Sequence, residues 1–339
     1  MNINVASTSN IIKTLPGFGG DLPFKLETGY VGVGAMDDVQ LFYYFFESEG
    51  SPEYDPLVLW LNGGSGCSTF SDFVYENLGP LSFDYLNSIG NKPKLKLNPY
   101  SWTKVANIIF VDEPVGTGFS YANSWVGYSN VSDTLSAVQT YEFLRKWLMD
   151  HPKFYNNPLY IAGDSYSGIT LPIVVQEISD GNRDEHLPPM NLKGYVIGNP
   201  VTDTQIDRNY RSMKRNCKGE YVNVDLNNTL CVDDLEVYNE GSIKEWERCN
   251  KTLQDLYISD VSSSLVYHEN LIKQGYRVLI YSGDHGMNTP YVSTMGWIEY
   301  LNLTVDSRWK PWFLHGQVAG LGAGHTAPEI SRWLAYYPL

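Results

Sequence analysis

One hexapeptide constrains the fold of this chain more than any other stretch: Gly163-Asp164-Ser165-Tyr166-Ser167-Gly168. The apolar run 158–162 leads into it and a helix-like run from Ile169 to Ile178 leads out, so the pattern predicts strand, sharp turn and helix. A serine at the apex of such a turn has its hydroxyl thrust clear of the backbone, and small residues must flank it because strand and helix pass close together. Ser165 is therefore the candidate nucleophile. The competing reading is an ordinary Gly/Ser/Asp turn, and the rest of the chain has to decide between them.

Other apolar runs also end in glycine-rich turns. Val39 to Phe46 reads as a strand. Pro56 to Leu61 closes on Asn62-Gly-Gly-Ser-Gly-Cys67, and Asn107 to Val111 closes on the segment Asp112 to Ser120. Leu192 to Ile197 closes on Gly198-Asn-Pro200, and Arg277 to Tyr281 on Ser282-Gly-Asp-His-Gly286. Asp133 to Met149 reads as a helix that starts at Asp133, with Leu135, Val138, Tyr141, Leu144 and Leu148 at three- and four-residue steps. A second amphipathic helix follows Pro290 to about Leu301, and Trp309 to Val318 reads as a last strand. Strands alternating with helices predict an α/β fold, a mostly parallel sheet with helices on both faces. From Val201 to Gln274 the composition shifts to Asn, Asp, Glu and Lys with weak periodicity, which reads as an inserted cap. The expected organisation is a first core part over 1–200, a cap region over 201–274 and a second core part over 275–339.

The chain has 24 Lys+Arg against 38 Asp+Glu, a net charge of −14, with no basic block, so nucleic acid and anionic membrane are excluded as expected partners. No run of 18 apolar residues would span a membrane, and no signal peptide is visible at the N-terminus. The four cysteines, Cys67, Cys217, Cys231 and Cys249, form no Cys-x-x-Cys pair, and no His/Cys/Asp cluster has ligand spacing, so neither metal nor organic cofactor is expected. Four sequons, at Asn130, Asn227, Asn250 and Asn302, with the even cysteine count favour an oxidising secretory compartment and glycosylation.

In an open α/β sheet the functional loops leave the carboxyl ends of the strands. Ser165, the Asp284 region and His325 each follow an apolar run, in the Ser, Asp, His order of α/β-hydrolases. A hydroxyl is a weak nucleophile, an imidazole can take its proton, and a carboxylate fixes the imidazole tautomer. The Gly63-Gly64 loop supplies backbone N–H groups; that of Gly64, with that of Tyr166, is expected to hold the oxyanion. His285 reads as a loop residue and Cys67 as a structural disulfide partner rather than a nucleophile.

Taken together, Asn62-Gly-Gly-Ser-Gly-Cys67, Glu113-Pro-Val-Gly-Thr-Gly-Phe-Ser120, Gly163-Asp-Ser-Tyr-Ser-Gly168, Gly198-Asn-Pro200, Tyr281-Ser-Gly-Asp284 and Gly324-His-Thr-Ala-Pro-Glu329 resemble the plant serine carboxypeptidase-like family over nearly the whole chain. The resemblance implies an α/β-hydrolase fold with an inserted cap, a signal peptide, glycosylation and a secreted or vacuolar location. It implies disulfides, most simply Cys67 with Cys249 and Cys217 with Cys231. It also implies that Asp164 and Glu76 stand where carboxypeptidases hold the terminal carboxylate of a peptide, with Asn62 and Gly63 shaping the same side. Asp before the nucleophile is the form of the branch containing acyltransferases, which take acyl groups from 1-O-β-glucose esters and pass them to an alcohol. The implied enzyme is a serine acyl-transfer catalyst working through acyl-Ser165; the alternatives are a carboxypeptidase acting on a peptide C-terminus and an inactive paralogue.

The chain departs from the family pattern at three places. Gly286 occupies the position of the expected triad acid, which leaves Asp284 as the acid candidate. The stretches between Arg211 and Cys217 and from Tyr238 to Ser242 are abridged, giving a shortened cap. Only Leu321, Gly322 and Ala323 separate Gly320 from Gly324-His325, where the family carries a hairpin arm. Shortened blocks with intact flanks resemble skipped exons or a splice or gene-model variant.

Overall fold

The computed structural model describes residues 8–76, 78–88, 93–211, 247–283, 286, 289–307, 310–314, 317–319 and 325. The strands in chain order are β1 (Thr8–Ile12), β2 (Leu26–Val33), β3 (Val39–Phe46), β4 (Leu57–Leu61), β5 (Leu81–Phe83), β6 (Leu95–Leu97), β7 (Asn107–Val111), β8 (Tyr121–Ala122), β9 (Leu159–Asp164), β10 (Leu192–Gly198), β11 (Arg277–Tyr281), β12 (Trp312–Leu314) and β13 (Gln317–Ala319). The helices are α1 (Phe70–Val74), α2 (Asp133–Asp150), α3 (Ser167–Arg183), α4 (Thr204–Arg211), α5 (Lys251–Leu256), α6 (Leu265–Lys273) and α7 (Tyr291–Tyr300). Nine strands form one mixed sheet in the order β1-β2-β3-β7-β4-β9-β10-β11, with β8 paired to β3. From β7 through β4, β9 and β10 to β11 every neighbouring pair is parallel, whereas β1, β2, β3 and β8 pair antiparallel.

The continuous apolar runs exist because the central strands are buried on both faces. Along β3, Val39, Leu41, Tyr43 and Phe45 enter one core while Phe42, Tyr44 and Phe46 enter the other. In β4, Leu57, Leu59 and Leu61 alternate with Val58 and Trp60 in the same way. This period of two sends each strand's side chains to opposite faces, so neither face can be polar. One core is closed by α2 and α3 through Phe143, Leu144, Trp147, Leu171, Val174 and Ile178, and it also takes Leu271 of α6. The other is closed by α1 through Phe70, Phe73 and Val74.

α2 starts at Asp133 as the sequence predicts, but its cap is Ser132, whose Oγ accepts the Leu135 N–H; this satisfies an amide that has no partner inside the helix. The segment expected as one last strand, Trp309 to Val318, instead contains two: β12 and β13 pair antiparallel, with Leu314 opposite Gln317, and stand apart from the main sheet.

Candidate active site

β4, β9, β10 and β11 are parallel neighbours, so the loops at their carboxyl ends emerge side by side. Those loops begin at Asn62, Ser165, Asn199 and Ser282. Ser165 sits between β9 and α3 at φ +50°, a left-handed conformation that non-glycine residues adopt only when the surroundings enforce it. Three backbone bonds enforce it: Ser165 N–H to Gly198 O at 2.8 Å, and Val201 N–H and Gly168 N–H to Ser165 O at 2.7 and 3.1 Å. The flanking glycines are there for space. A Cβ on Gly163 would lie 2.5 Å from Ser167 Oγ and 2.6 Å from Leu61 O, and one on Gly168 would lie 2.2 Å from Val201 O.

His325 Nε2 lies 2.8 Å from Ser165 Oγ, so the candidate nucleophile and candidate base are hydrogen-bonded although 160 residues apart in the chain. On its other side His325 Nδ1 lies 3.0 Å from Thr289 Oγ1, a residue the sequence reading did not single out. Asp284 and His285 lie outside the described residues. Gly286 stands close to Asn199: a Cβ there would be 2.7 Å from Asn199 Nδ2.

The two amides expected to bind the oxyanion have partners of their own. Tyr166 N–H donates to Gly63 O at 2.9 Å, and Gly64 N–H donates to Asn62 Oδ1 at 2.7 Å. A substrate oxyanion at Ser165 would therefore compete with the Gly63 carbonyl for the Tyr166 amide.

Asn62 links the glycine turn to a buried carboxyl cluster. Its Nδ2 donates to Asp72 Oδ1 at 2.6 Å, and Trp60 Nε1 donates to Asp72 Oδ2 at 2.7 Å. Asp72, too, was missed from sequence, although a charged residue inside the apolar run Phe70-Ser-Asp-Phe-Val74 is itself a signal. Burial raises both Asp72 and Asp164, and the Asp164 charge raises Asp72 further, so the pair favours keeping a proton. Burial, then the charges of Asp164, Glu76 and Asp72, push the Tyr281 phenol up.

The cysteine pairing implied for the glycine loop is formed: Cys67 and Cys249 are bonded, with Cα atoms 4.0 Å apart. Flanking backbone bonds, Ser68 N–H to Arg248 O and Asn250 N–H to Gly66 O, both 2.8 Å, hold the same two segments together. Cys217 and Cys231 lie outside the described residues, as does Asn227. Asn130 and Asn302 are exposed, at φ +57° and +48°. Asn250 is half-buried and caps α5, its Oδ1 accepting from Leu253 N–H while Nδ2 donates to Gly116 O.

Further buried carboxyl groups follow β7. Asp112 accepts from Ser68 Oγ, Thr69 N–H and Phe119 N–H, yet complete burial pushes it up to about 6. Glu113, bonded by Ser136 Oγ, is pushed up to about 7 by burial and, beyond that, by the neighbouring Asp133 and Asp112. An acid whose pKa is higher folded than unfolded stabilises the protein fully below its unfolded value and loses that contribution as pH rises through the folded value. For Asp112 and Glu113 the loss runs from about pH 4 to above about 7. Glu27 and Glu47 are held low and act oppositely, losing their contribution only on further acidification. The melting temperature is thus expected to fall by several degrees between pH 5 and pH 8 at constant ionic strength. A flat or rising profile in thermal unfolding scans would contradict the assignment.

The serine carboxypeptidase family model matches residues 16–216 and 210–331. Serine carboxypeptidase-like 16 of Arabidopsis thaliana is 45% identical over 378 positions, covering 93% of this chain and 86% of that protein. Serine carboxypeptidase-like 17 of the same plant is 40% identical over 421 positions, covering 99% of this chain and 95% of its own length. That alignment is longer than the 339-residue chain, so the relative carries blocks that this chain lacks. Among solved structures, a prohormone-processing carboxypeptidase from Saccharomyces cerevisiae superposes with a TM-score of 0.74 at 17% identity, covering 95% of this chain and 93% of that one, a likeness of fold. The sheet order, the serine on its strained turn and these matches agree: the chain belongs to the serine carboxypeptidase family of α/β-hydrolases.

Proposed function

We propose that this protein is a serine acyl-transfer enzyme that takes an acyl group from a 1-O-β-glucose ester and passes it to an alcohol acceptor. The observation that carries the reading is the 2.8 Å contact between His325 Nε2 and Ser165 Oγ on a left-handed turn at the carboxyl end of β9. Ser165 Oγ attacks the ester carbonyl while its proton passes to Nε2. Nε2 then gives that proton to the departing sugar oxygen, which leaves as glucose, and acyl-Ser165 remains. An acceptor O–H gives its proton to Nε2 as its oxygen attacks the acyl carbon, and the proton returns to Ser165 Oγ as the new ester leaves. The amides of Gly64 and Tyr166 serve as oxyanion donors once the incoming oxyanion displaces their present partners. Asp164, Glu76, Asn62 and Gly63 line the leaving-group or acceptor side. The region 201–274 serves as the cap region, and its helix α6 is anchored in the core through Leu271.

A second reading, release of C-terminal residues from peptides, draws support from the Asp72–Asp164 pair beside Asn62, since a carboxyl group that keeps its proton can hydrogen-bond a peptide's terminal carboxylate. The formed Cys67–Cys249 disulfide and the exposed sequons Asn130 and Asn302 favour passage through the secretory pathway. No helix among the described residues is long and apolar enough to cross a membrane.

Incubation with aromatic 1-O-β-glucose esters and a set of alcohol acceptors, in parallel with N-blocked dipeptides, tests the assignment. The proposal expects Ser165-dependent formation of the new ester and release of glucose. Amino-acid release from the dipeptides with no transfer product would replace it by the peptidase reading, and neither product from folded protein would leave the inactive paralogue, for which Gly286 is the motive.

A further inference from the structure

We infer that Thr289 takes the orienting role of a triad acid, holding His325 in the one neutral tautomer that can accept the Ser165 proton. The inference rests on the acyl-transfer reading of this site and deepens it. Proton bookkeeping on four atoms carries it. Thr289 Oγ1 lies 2.6 Å from the backbone carbonyl oxygen of Asn199. A carbonyl oxygen can only accept, so the single hydroxyl proton of Thr289 is spent there. The 3.0 Å contact between Thr289 Oγ1 and His325 Nδ1 then requires the proton to sit on Nδ1, because Oγ1 has only lone pairs left to offer. A neutral imidazole protonated at Nδ1 is bare at Nε2, the atom 2.8 Å from Ser165 Oγ, so Ser165 is the donor in that bond. The direction of every proton from the Asn199 carbonyl to the nucleophile follows from the first link.

Thr289 is well placed for this. It is almost fully buried, and its backbone carbonyl accepts from Asn199 Nδ2 at 3.2 Å while its hydroxyl donates to the Asn199 carbonyl, so one residue clamps it at both ends. Asn199 in turn is completely buried at φ +39°, fixed by its N–H to Tyr281 O at 2.8 Å and by Gly283 N–H to its Oδ1 at 3.1 Å. The carboxyl ends of β10 and β11 thus build a rigid seat for the hydroxyl. A neutral hydroxyl fixes the tautomer but brings no negative charge to the imidazolium formed during acylation, so the device orients His325 with less electrostatic help than a carboxylate gives. Thr289 is in these terms a positioning residue: it acts on Ser165 only through His325.

The test compares Thr289→Val and Thr289→Ser in the full, disulfide-bonded chain by the rate of Ser165-dependent labelling with a fluorophosphonate probe. Valine keeps the shape and removes the acceptor; serine keeps the acceptor. The expected result is a loss of about a hundredfold or more for Thr289→Val, with Thr289→Ser within about threefold of wild type. Wild-type labelling by Thr289→Val, or an equal loss in both variants at unchanged melting temperature, would overturn the inference. If Thr289→Val does not fold, nitrogen-15 NMR of the wild-type His325 ring, assigned by difference from His325→Gln, decides alone: a proton on Nδ1 with Nε2 bare is expected, and the opposite tautomer overturns it. Failure of wild-type Ser165 to label would sink the acyl-transfer reading, while the ring tautomer would still answer for Thr289.

Discussion

Replacement of His325 by Ala is expected to slow fluorophosphonate labelling of Ser165 by about three orders of magnitude or more, with little change in melting temperature. The expectation follows from geometry: Nε2 lies within hydrogen-bond reach of Oγ, and a serine hydroxyl without a base is a poor nucleophile at neutral pH. His325 is half-buried at the surface of the loop cluster, so truncation removes no large part of either core. The contrast within the chain is His268, which is fully buried between Tyr195 and Trp297 and is pushed by that burial down to about 3. Its role is packing, and its removal should show in stability rather than in labelling at a fixed fraction folded. Labelling of His325→Ala at the wild-type rate would remove the base from the account.

The Cys67→Ser/Cys249→Ser double variant is expected to be strongly destabilised. The bond joins residues 182 positions apart, and a chain-entropy estimate for a loop of that size is about 5 kcal/mol, the upper end of what disulfides contribute. Spread over a domain of this length, that corresponds to a melting temperature lower by roughly 7 °C. Function should suffer with it. The Cys67 N–H donates to Gly64 O at 2.8 Å, so the disulfide anchors the glycine turn whose amides stand beside Ser165. Differential scanning calorimetry on oxidised wild type and the double variant measures the effect, and coincident transitions would contradict it.

What the sequence made legible is what depends on local pattern. Strands such as β4 and β7 stood out because burial on both faces writes an unbroken apolar run, and the β9–α3 turn stood out because close passage of strand and helix admits only small residues at Gly163 and Gly168. The Cys67–Cys249 bond was carried by the family resemblance, since four cysteines alone allow three pairings. Strands β12 and β13 were read as one because the apolar residues Phe313, Leu314 and Val318 hide the break between them. Thr289 and Asp72 were not singled out, for a different reason. A threonine before a proline has no local signature for orienting an imidazole; its role arises only where the ends of β10 and β11 meet His325. Asp72 did carry a local signal, a charge among apolar neighbours, but the chemistry it takes part in exists only once the fold sets it against Asn62, Trp60 and Asp164. The state of the Tyr166 amide is equally a tertiary fact, fixed by the Gly63 carbonyl on a separate loop.

The most direct test of the central claim is stoichiometric labelling of the disulfide-bonded protein with a fluorophosphonate probe, wild type against Ser165→Ala, with the modified peptide identified by mass. The account predicts one label per chain on Ser165 and none on the variant. A folded wild type that takes no label, or a Ser165→Ala variant that labels as fast as wild type, would contradict it.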